Sequence, residues 1–248
     1  MHITMVVLQT LFNNVQSLMF ENDHDVRMNM APFIAIIAYM IYPTKLRINK
    51  YVLYYFAITH NTALIVFSAW TFVSIVDILY RYGIVFESNY YFQIPEFDRV
   101  MFLFYLSKYY EFFDTFILYL LGKQPILLQK YHHIGAVICW HLTYTNKVDS
   151  IWIPSLANSF IHTIMYSYYL GSLLKIKQVR IIRQFLTTLQ LAQLVSTMVA
   201  SNYYYGYPVE TLKNYKIMWV VNAYNTFLIF LFISFYSKNY IKTKTKGN

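Results

Sequence analysis

Two adjacent imidazoles, His132 and His133, stand at the start of an apolar stretch, with Gln129 one turn before them. On a helix, positions i, i+3 and i+4 share a face, so Gln129, His132 and His133 are expected to form one polar cluster. A neutral imidazole can donate, accept or attack near neutral pH, and placing one beside lipid is costly unless it is used or satisfied. Lys108, Glu111, Asp114 and Thr115 follow at helical spacing. They are expected as one stripe that either lines a site or holds a Lys108–Glu111 ion pair for packing. Asn158 and His162 lie one turn apart, with Met165 and Tyr166 continuing the same side. Thr187, Gln190 and Gln193 repeat the three-residue spacing, as a polar wall or as hydrogen-bonding glue between helices. Asn61 and Ser68 read as packing groups.

The elements that must position these groups are apolar. Of 248 residues, 58% are hydrophobic and 12% charged, a balance that a water-soluble domain cannot hide. The fold expected is an all-α polytopic membrane protein. Seven apolar runs approach the roughly 20 residues a bilayer requires: 28–43, 52–79, 100–122, 128–146, 151–171, 184–203 and 217–237. Short polar loops separate them, without repeats or linkers, so residues 1–248 read as a single domain with an N-terminal segment 1–27 and a basic tail 238–248. The first 25 residues lack a basic start and a small-residue cleavage site, so no signal peptide is expected.

Seven spans put the termini on opposite sides. A cytosolic C-terminus gathers thirteen of the 20 lysines and arginines on its side, including Lys45, Arg47, Lys130, Lys175 and the tail lysines Lys242, Lys244 and Lys246. The positive-inside rule therefore places the N-terminus on the lumenal or outer face. It also accounts for the net charge of +9 without nucleic-acid binding. One cysteine, Cys139, excludes an intramolecular disulfide and a Cys-rich metal site. The 26 tyrosines and 20 phenylalanines suit membrane interfaces, but an AT-rich coding bias would enrich Tyr equally, so single tyrosines carry little weight. Counted at about 1.5 Å per residue from the cytosolic ends, His132, His162, Asp114 and Gln190 share the cytosolic half of the bilayer. Lys108 lies deeper. Such a chamber suits an amphiphile with a charged head and a long tail.

The same residues resemble the boxes of the very-long-chain fatty acid elongases, the ELO family. Lys108 to Thr115 resembles KxxExxDT, Gln129 to His133 resembles HxxHH, Asn158 to Tyr166 resembles NxxxHxxMY, and Thr187 to Gln193 fits TxxQxxQ. Four boxes in order extend over most of the chain. One departure stands out: Gln129 replaces the first box histidine, and an amide can hydrogen-bond but cannot shuttle a proton or carry an acyl group.

The resemblance implies seven spans in the endoplasmic reticulum, six forming a barrel around an acyl tunnel open to the cytosol. It implies condensation of a long-chain acyl-CoA with malonyl-CoA to 3-oxoacyl-CoA, CO2 and CoA, with no metal and no further cofactor. His132, His133, His162, Gln129 and Asn158 are then the expected catalytic set. Lys108, Glu111, Asp114, Thr115, Tyr166, Gln190 and Gln193 are the expected substrate-binding set. Expected partners are the ketoacyl-CoA reductase, hydroxyacyl-CoA dehydratase and enoyl-CoA reductase of the cycle, membrane lipid and a second copy of the chain. Other classes fit less well. Membrane di-iron desaturases need about eight box histidines, whereas this chain has seven in all, with His2 and His24 outside the spans. Loss of the first box histidine motivates an inactive elongase-like descendant, against which stand the retained His132, His133, His162, Lys108 and Asp114, and a seven-span receptor or transporter would not need three such boxes at one depth.

Overall fold

The apolar runs become helices because each is long and low in charge, and polar loops, proline or left-handed residues stop them. The structure is a computed structural model, and it describes residues 26–41, 48–87, 90–205 and 212–241. The expectations for the N-terminal segment up to residue 25 and for the tail lysines Lys242, Lys244 and Lys246 lie outside the described residues. Among the described residues there are eight α-helices and no strand. They are α1 (Val26–Met40), α2 (Lys50–Tyr82), α3 (Pro95–Tyr110), α4 (Phe112–Leu120), α5 (Leu127–Thr145), α6 (Trp152–Leu173), α7 (Arg183–Tyr205) and α8 (Leu212–Tyr236). The chain divides into two units, Met1–Thr44 and Lys45–Asn248. α1 belongs to the first, and all the candidate site residues belong to the second.

Local chemistry sets the helix ends. The Asn49 side chain accepts from the Tyr51 N–H at 2.9 Å and caps α2. Pro95 opens α3, with Glu96 and Asp98 in its first turn against the positive end of the helix dipole. Helix α4 ends at Gly122, whose φ of 71° is a conformation glycine adopts without steric cost. Lys147 and Lys175 take the same left-handed role after α5 and α6, at φ 51° and 60°. In each case the next residue bonds back to a carbonyl inside the helix, Val148 N–H to Thr143 O and Ile176 N–H to Gly171 O. Lys147 is further held by Asp98, its ammonium 2.6 Å from the carboxylate.

One expected span is two helices. The run 100–122 breaks between α3 and α4 at Glu111, where the Asp114 N–H bonds the Glu111 carbonyl at 3.1 Å in place of a regular four-residue bond. No proline or glycine lies there. The tightened turn rotates α4 relative to α3, so the stripe from Lys108 to Thr115 is divided.

Within the second unit α2 packs on α6, α6 on α7, α7 on α8, α8 on α5, α5 on α3, and α3 on α2. Apolar clusters cement these contacts, among them Leu64, Met165, Tyr166 and Leu186 across α2, α6 and α7. Cys139, Tyr224 and Leu228 do the same across α5 and α8. Two helices, Lys50–Tyr82 and Tyr215–Ile241, are long and apolar enough to cross a bilayer, with window hydropathies of 2.0 and 1.7. Both leave large apolar side chains exposed, such as Val66 and Val73 on α2 and Trp219 and Phe230 on α8. A helix that is apolar on the face it shows to its surroundings fits lipid rather than water. The protein is a membrane protein, all-helical among the described residues.

Candidate active site

A lysine ammonium starts the first network. Lys108 is 2% exposed, and its Nζ donates to Glu111 Oε1 at 2.7 Å and to Asn158 Oδ1 at 3.0 Å. The ion pair expected from the sequence is therefore present, and the ammonium also lies over the rings of Phe104 and Trp140. Because Asn158 Oδ1 accepts from Lys108, its Nδ2 is the end that faces His162 Nε2, 3.0 Å away. An amide nitrogen only donates, so His162 Nε2 accepts and the ring proton sits on Nδ1. That nitrogen is 3.5 Å from Glu111 Oε1, which closes a loop of four buried side chains from α3, its junction with α4, and α6.

The second network centres on Asp114, on the far side of the Glu111 break. Its Oδ1 is bonded by His60 Nε2 at 2.8 Å, and its Oδ2 by the Tyr166 hydroxyl at 2.7 Å. His133 Nε2 stands 3.9 Å from Oδ2, within ion-pair range but beyond a hydrogen bond. His60 is 1% exposed, packed among the rings of Phe56, Tyr110 and Tyr166.

His132 belongs to neither. Its Nδ1 is 3.1 Å from the Tyr224 hydroxyl of α8. It lines a cavity of about 50 Å³ together with Trp140, Asn158, Gln193, Met218 and Tyr224. A nitrogen of His132, a nitrogen of His162 and a carboxylate oxygen of Glu111 lie within 4.8 Å of one another, so His132 and the first network converge. These three are also the residues that could hold a metal ion. Against that use, Lys108 places a cation on one of the Glu111 oxygens, where it would repel a second.

The expected residues thus fall into separate places. Lys108, Glu111, Asn158, His162 and His132 meet. Asp114, Tyr166 and His133 meet around a different carboxylate. Gln129 joins neither group: its Nε2 donates to Thr115 Oγ1 at 3.2 Å. Gln190 donates to the sulfur of Met165 at 3.3 Å, while Gln193 lines the cavity. The single polar cluster expected for Gln129, His132 and His133 is divided, because the three side chains fan out to α4, α8 and Asp114. The side chain hydrogen-bonded to His132 is Tyr224, although the rings of His132 and His133 still lie 5.6 Å apart.

Two residues in these networks did not stand out in the sequence. His60 sits alone in the second span, and only its position in the apolar interior of α2 hinted that it needs a partner. Tyr224 is one tyrosine among 26, in the class discounted on composition.

Four sequence boxes that could each have arisen separately are thus joined by hydrogen bonds or by a common cavity, and comparison with known proteins shows which family carries the sequence. The pattern of the ELO family (GNS1/SUR4 family) matches residues 3–248. Fatty acid elongase sre1 of Dictyostelium discoideum is 35% identical over 143 residues, covering 56% of this chain and 53% of that protein. Very long chain fatty acid elongase 5 of Xenopus laevis is 33% identical over 155 residues, 58% of this chain and 50% of the relative. Very long chain fatty acid elongase 7 of Drosophila melanogaster is 30% identical over 202 residues, 76% and 60% respectively. The matches span about half the length of these curated relatives. With the family pattern running through nearly every residue that builds the site, the chain belongs to the ELO family.

Proposed function

We propose that this protein is a fatty acid elongase that condenses a long-chain acyl-CoA with malonyl-CoA, giving 3-oxoacyl-CoA, CO2 and CoA. The observation that carries the proposal is the meeting of His132 with Glu111 and His162 beside an apolar-walled cavity, on the ammonium of Lys108. An acyl carbonyl laid against His132 has its first methylenes at that cavity and its reacting carbon beside fixed donors.

In this mechanism His132 attacks the acyl thioester, the C–N bond forms, the C–S bond breaks and CoA leaves. Malonyl-CoA then enters and loses CO2. The resulting enolate carbon attacks the acyl carbon, breaks the C–N bond and frees the imidazole. The second N–H of the Asn158 amide, which Lys108 and His162 orient, stabilises the negative charge on the enolate oxygen. His133 and Asp114 hold α4, α5 and α6 in register behind the reaction. Gln129 supports Thr115 and takes no proton.

The pairwise packing of α2, α3 and α5 to α8 supports a barrel around an acyl tunnel, with α1 as the remaining span. The endoplasmic reticulum, a cytosolic C-terminus, the reductases and dehydratase of the elongation cycle, and a homodimer complete the proposal by family likeness. The reaction as proposed uses no metal, a reading supported by the Lys108 cation beside Glu111.

The test is condensation of purified protein in detergent with radiolabelled malonyl-CoA across acyl-CoA lengths. CO2 and CoA released in equal amounts support the reading. A folded protein that consumes neither substrate at any chain length removes it.

A further inference from the structure

The Tyr224 hydroxyl touches one residue twice. Its oxygen lies 3.1 Å from His132 Nδ1 and 3.1 Å from the His132 backbone carbonyl oxygen. A phenol carries one proton, and a carbonyl oxygen can only accept. Both contacts are hydrogen bonds only when the phenol proton goes to the carbonyl and the phenol oxygen accepts from a protonated Nδ1. An unprotonated Nδ1 would set two acceptors against a single proton and leave one of them unsatisfied in a buried place. From this geometry we infer that Tyr224 is a positioning residue that fixes His132 as the Nδ1-protonated tautomer, so that Nε2 carries the lone pair that attacks the acyl thioester. The inference rests on the elongase reading and says which nitrogen performs its chemistry.

One turn of α5 is shaped to receive this tyrosine. The Tyr131 ring stacks on the Tyr224 ring, with centroids 5.4 Å apart and planes at 26°, and the Tyr131 hydroxyl donates to the Tyr224 carbonyl at 3.3 Å. On the same face as His132, three residues on, stands Gly135. A Cβ at that position would fall on Cε2 and Cδ2 of the Tyr224 ring. No other residue lets the ring lie so close to α5, so Gly135 is what brings the hydroxyl within reach of the imidazole. Among the described residues His132 Nε2 makes no hydrogen bond, which leaves it open toward the cavity that His132 lines.

The tautomer also suits the charge balance. When Nε2 bonds the acyl carbon and the C–S bond breaks, CoA leaves as a thiolate that takes a proton from solvent, and the ring becomes an acyl-imidazolium with its Nδ1 proton in place. The Tyr224 oxygen, already accepting from that N–H, stabilises the new positive charge. Attack by the enolate carbon of decarboxylated malonyl-CoA then breaks the C–N bond and returns the neutral ring, Nδ1 still protonated. His132 needs no proton carrier at either step.

The experiment has two readouts. In histidine-15N-labelled full-length protein in detergent, long-range 15N–1H correlations are expected to report His132 as Nδ1-protonated, and Tyr224→Phe as a mixture of tautomers. With acyl-CoA alone, followed by intact mass, Tyr224→Phe is expected to slow acylation roughly 10²-fold. That falls short of the roughly 10⁴-fold that a ring held in the wrong tautomer costs, since a released ring still samples the right one. Acyl-CoA affinity should be unchanged. Gly135→Ala, which pushes the ring away while keeping the hydroxyl, should give the same two changes and stands in if Tyr224→Phe does not fold. An Nε2-protonated His132 in the unmodified protein overturns the inference, as does acylation of either variant at the unmodified rate. An Nδ1-protonated His132 in a protein that neither acylates nor condenses leaves the tautomer lock standing and overturns the elongase reading instead.

Discussion

Neighbours in sequence, His132 and His133 serve two different regions. Consecutive residues on a helix point about 100° apart, so one ring turns to α8 and a cavity while the other turns to Asp114. Beside His133 the Asp114 carboxylate takes two strong donors, His60 and Tyr166, at 2.8 and 2.7 Å, while the other ring nitrogen of His60 is buried without a hydrogen bond among the described residues. Around His132 one nitrogen is held by Tyr224 and the other makes no hydrogen bond to the described residues beside the cavity that the ring lines. The first region has the character of a structural knot, tying polar groups of α2 and α6 to one carboxylate on α4. The second matches the proposed reaction site, with that imidazole nitrogen beside a cavity. Under the proposed mechanism the paired motif becomes one residue of chemistry and one of architecture.

Substitutions on the two sides should separate activity from stability. The largest effect is expected from His132→Ala, with condensation falling by at least roughly 10³-fold while the thermal midpoint in detergent stays near that of the unmodified protein. Full incorporation of radiolabelled malonyl-CoA by this variant would remove the nucleophile. Asp114→Ala is the converse. It strands the His60 and Tyr166 donors, each at about 1–3 kcal/mol, and denaturation should register a loss on the order of 3 kcal/mol or more. An unshifted melt would mean that the knot bears no weight.

A smaller effect is expected at His60, which separates a hydrogen bond from packing. His60→Phe keeps the ring among Phe56, Tyr110 and Tyr166 but removes the donor to Asp114. It should cost about 1–2 kcal/mol, and His60→Gln, which restores an N–H at a similar reach, should recover about half of it. Equal melting of the two variants would assign His60 to packing alone.

The helix positions were legible in the sequence, since apolar runs bounded by Pro95, Gly122 and polar loops leave little choice. The Lys108–Glu111 pair and the Asn158–His162 turn were legible too, because both are local i, i+3 and i, i+4 relations. What escaped was whatever depends on approach from afar. Tyr224 meets His132 across 92 positions of chain and His60 meets Asp114 across 54, and no local spacing records either. The break at Glu111 escaped for a different reason: without proline or glycine, a turn of tighter helix leaves no composition signal, yet it sends Asp114 away from Lys108.

Gln129 is where that limit matters most and where the smallest effect is expected. By sequence it departs from the family box, and an amide in place of an imidazole suggests lost acid–base chemistry. In the fold its amide nitrogen holds the buried Thr115 hydroxyl at 3.2 Å, on α4, and the group that touches His132 comes from α8 instead. A histidine at 129 can make the same donation to Thr115. Gln129→His should therefore alter the condensation rate by no more than about threefold, under 1 kcal/mol, and should leave its pH profile in place. Gln129→Leu, by contrast, takes the donor from Thr115 and should lower stability by about 1 kcal/mol with little change in rate. A tenfold gain on Gln129→His, or a new titration in its pH profile, would place position 129 among the reacting groups and move the boundary between the two regions to include it.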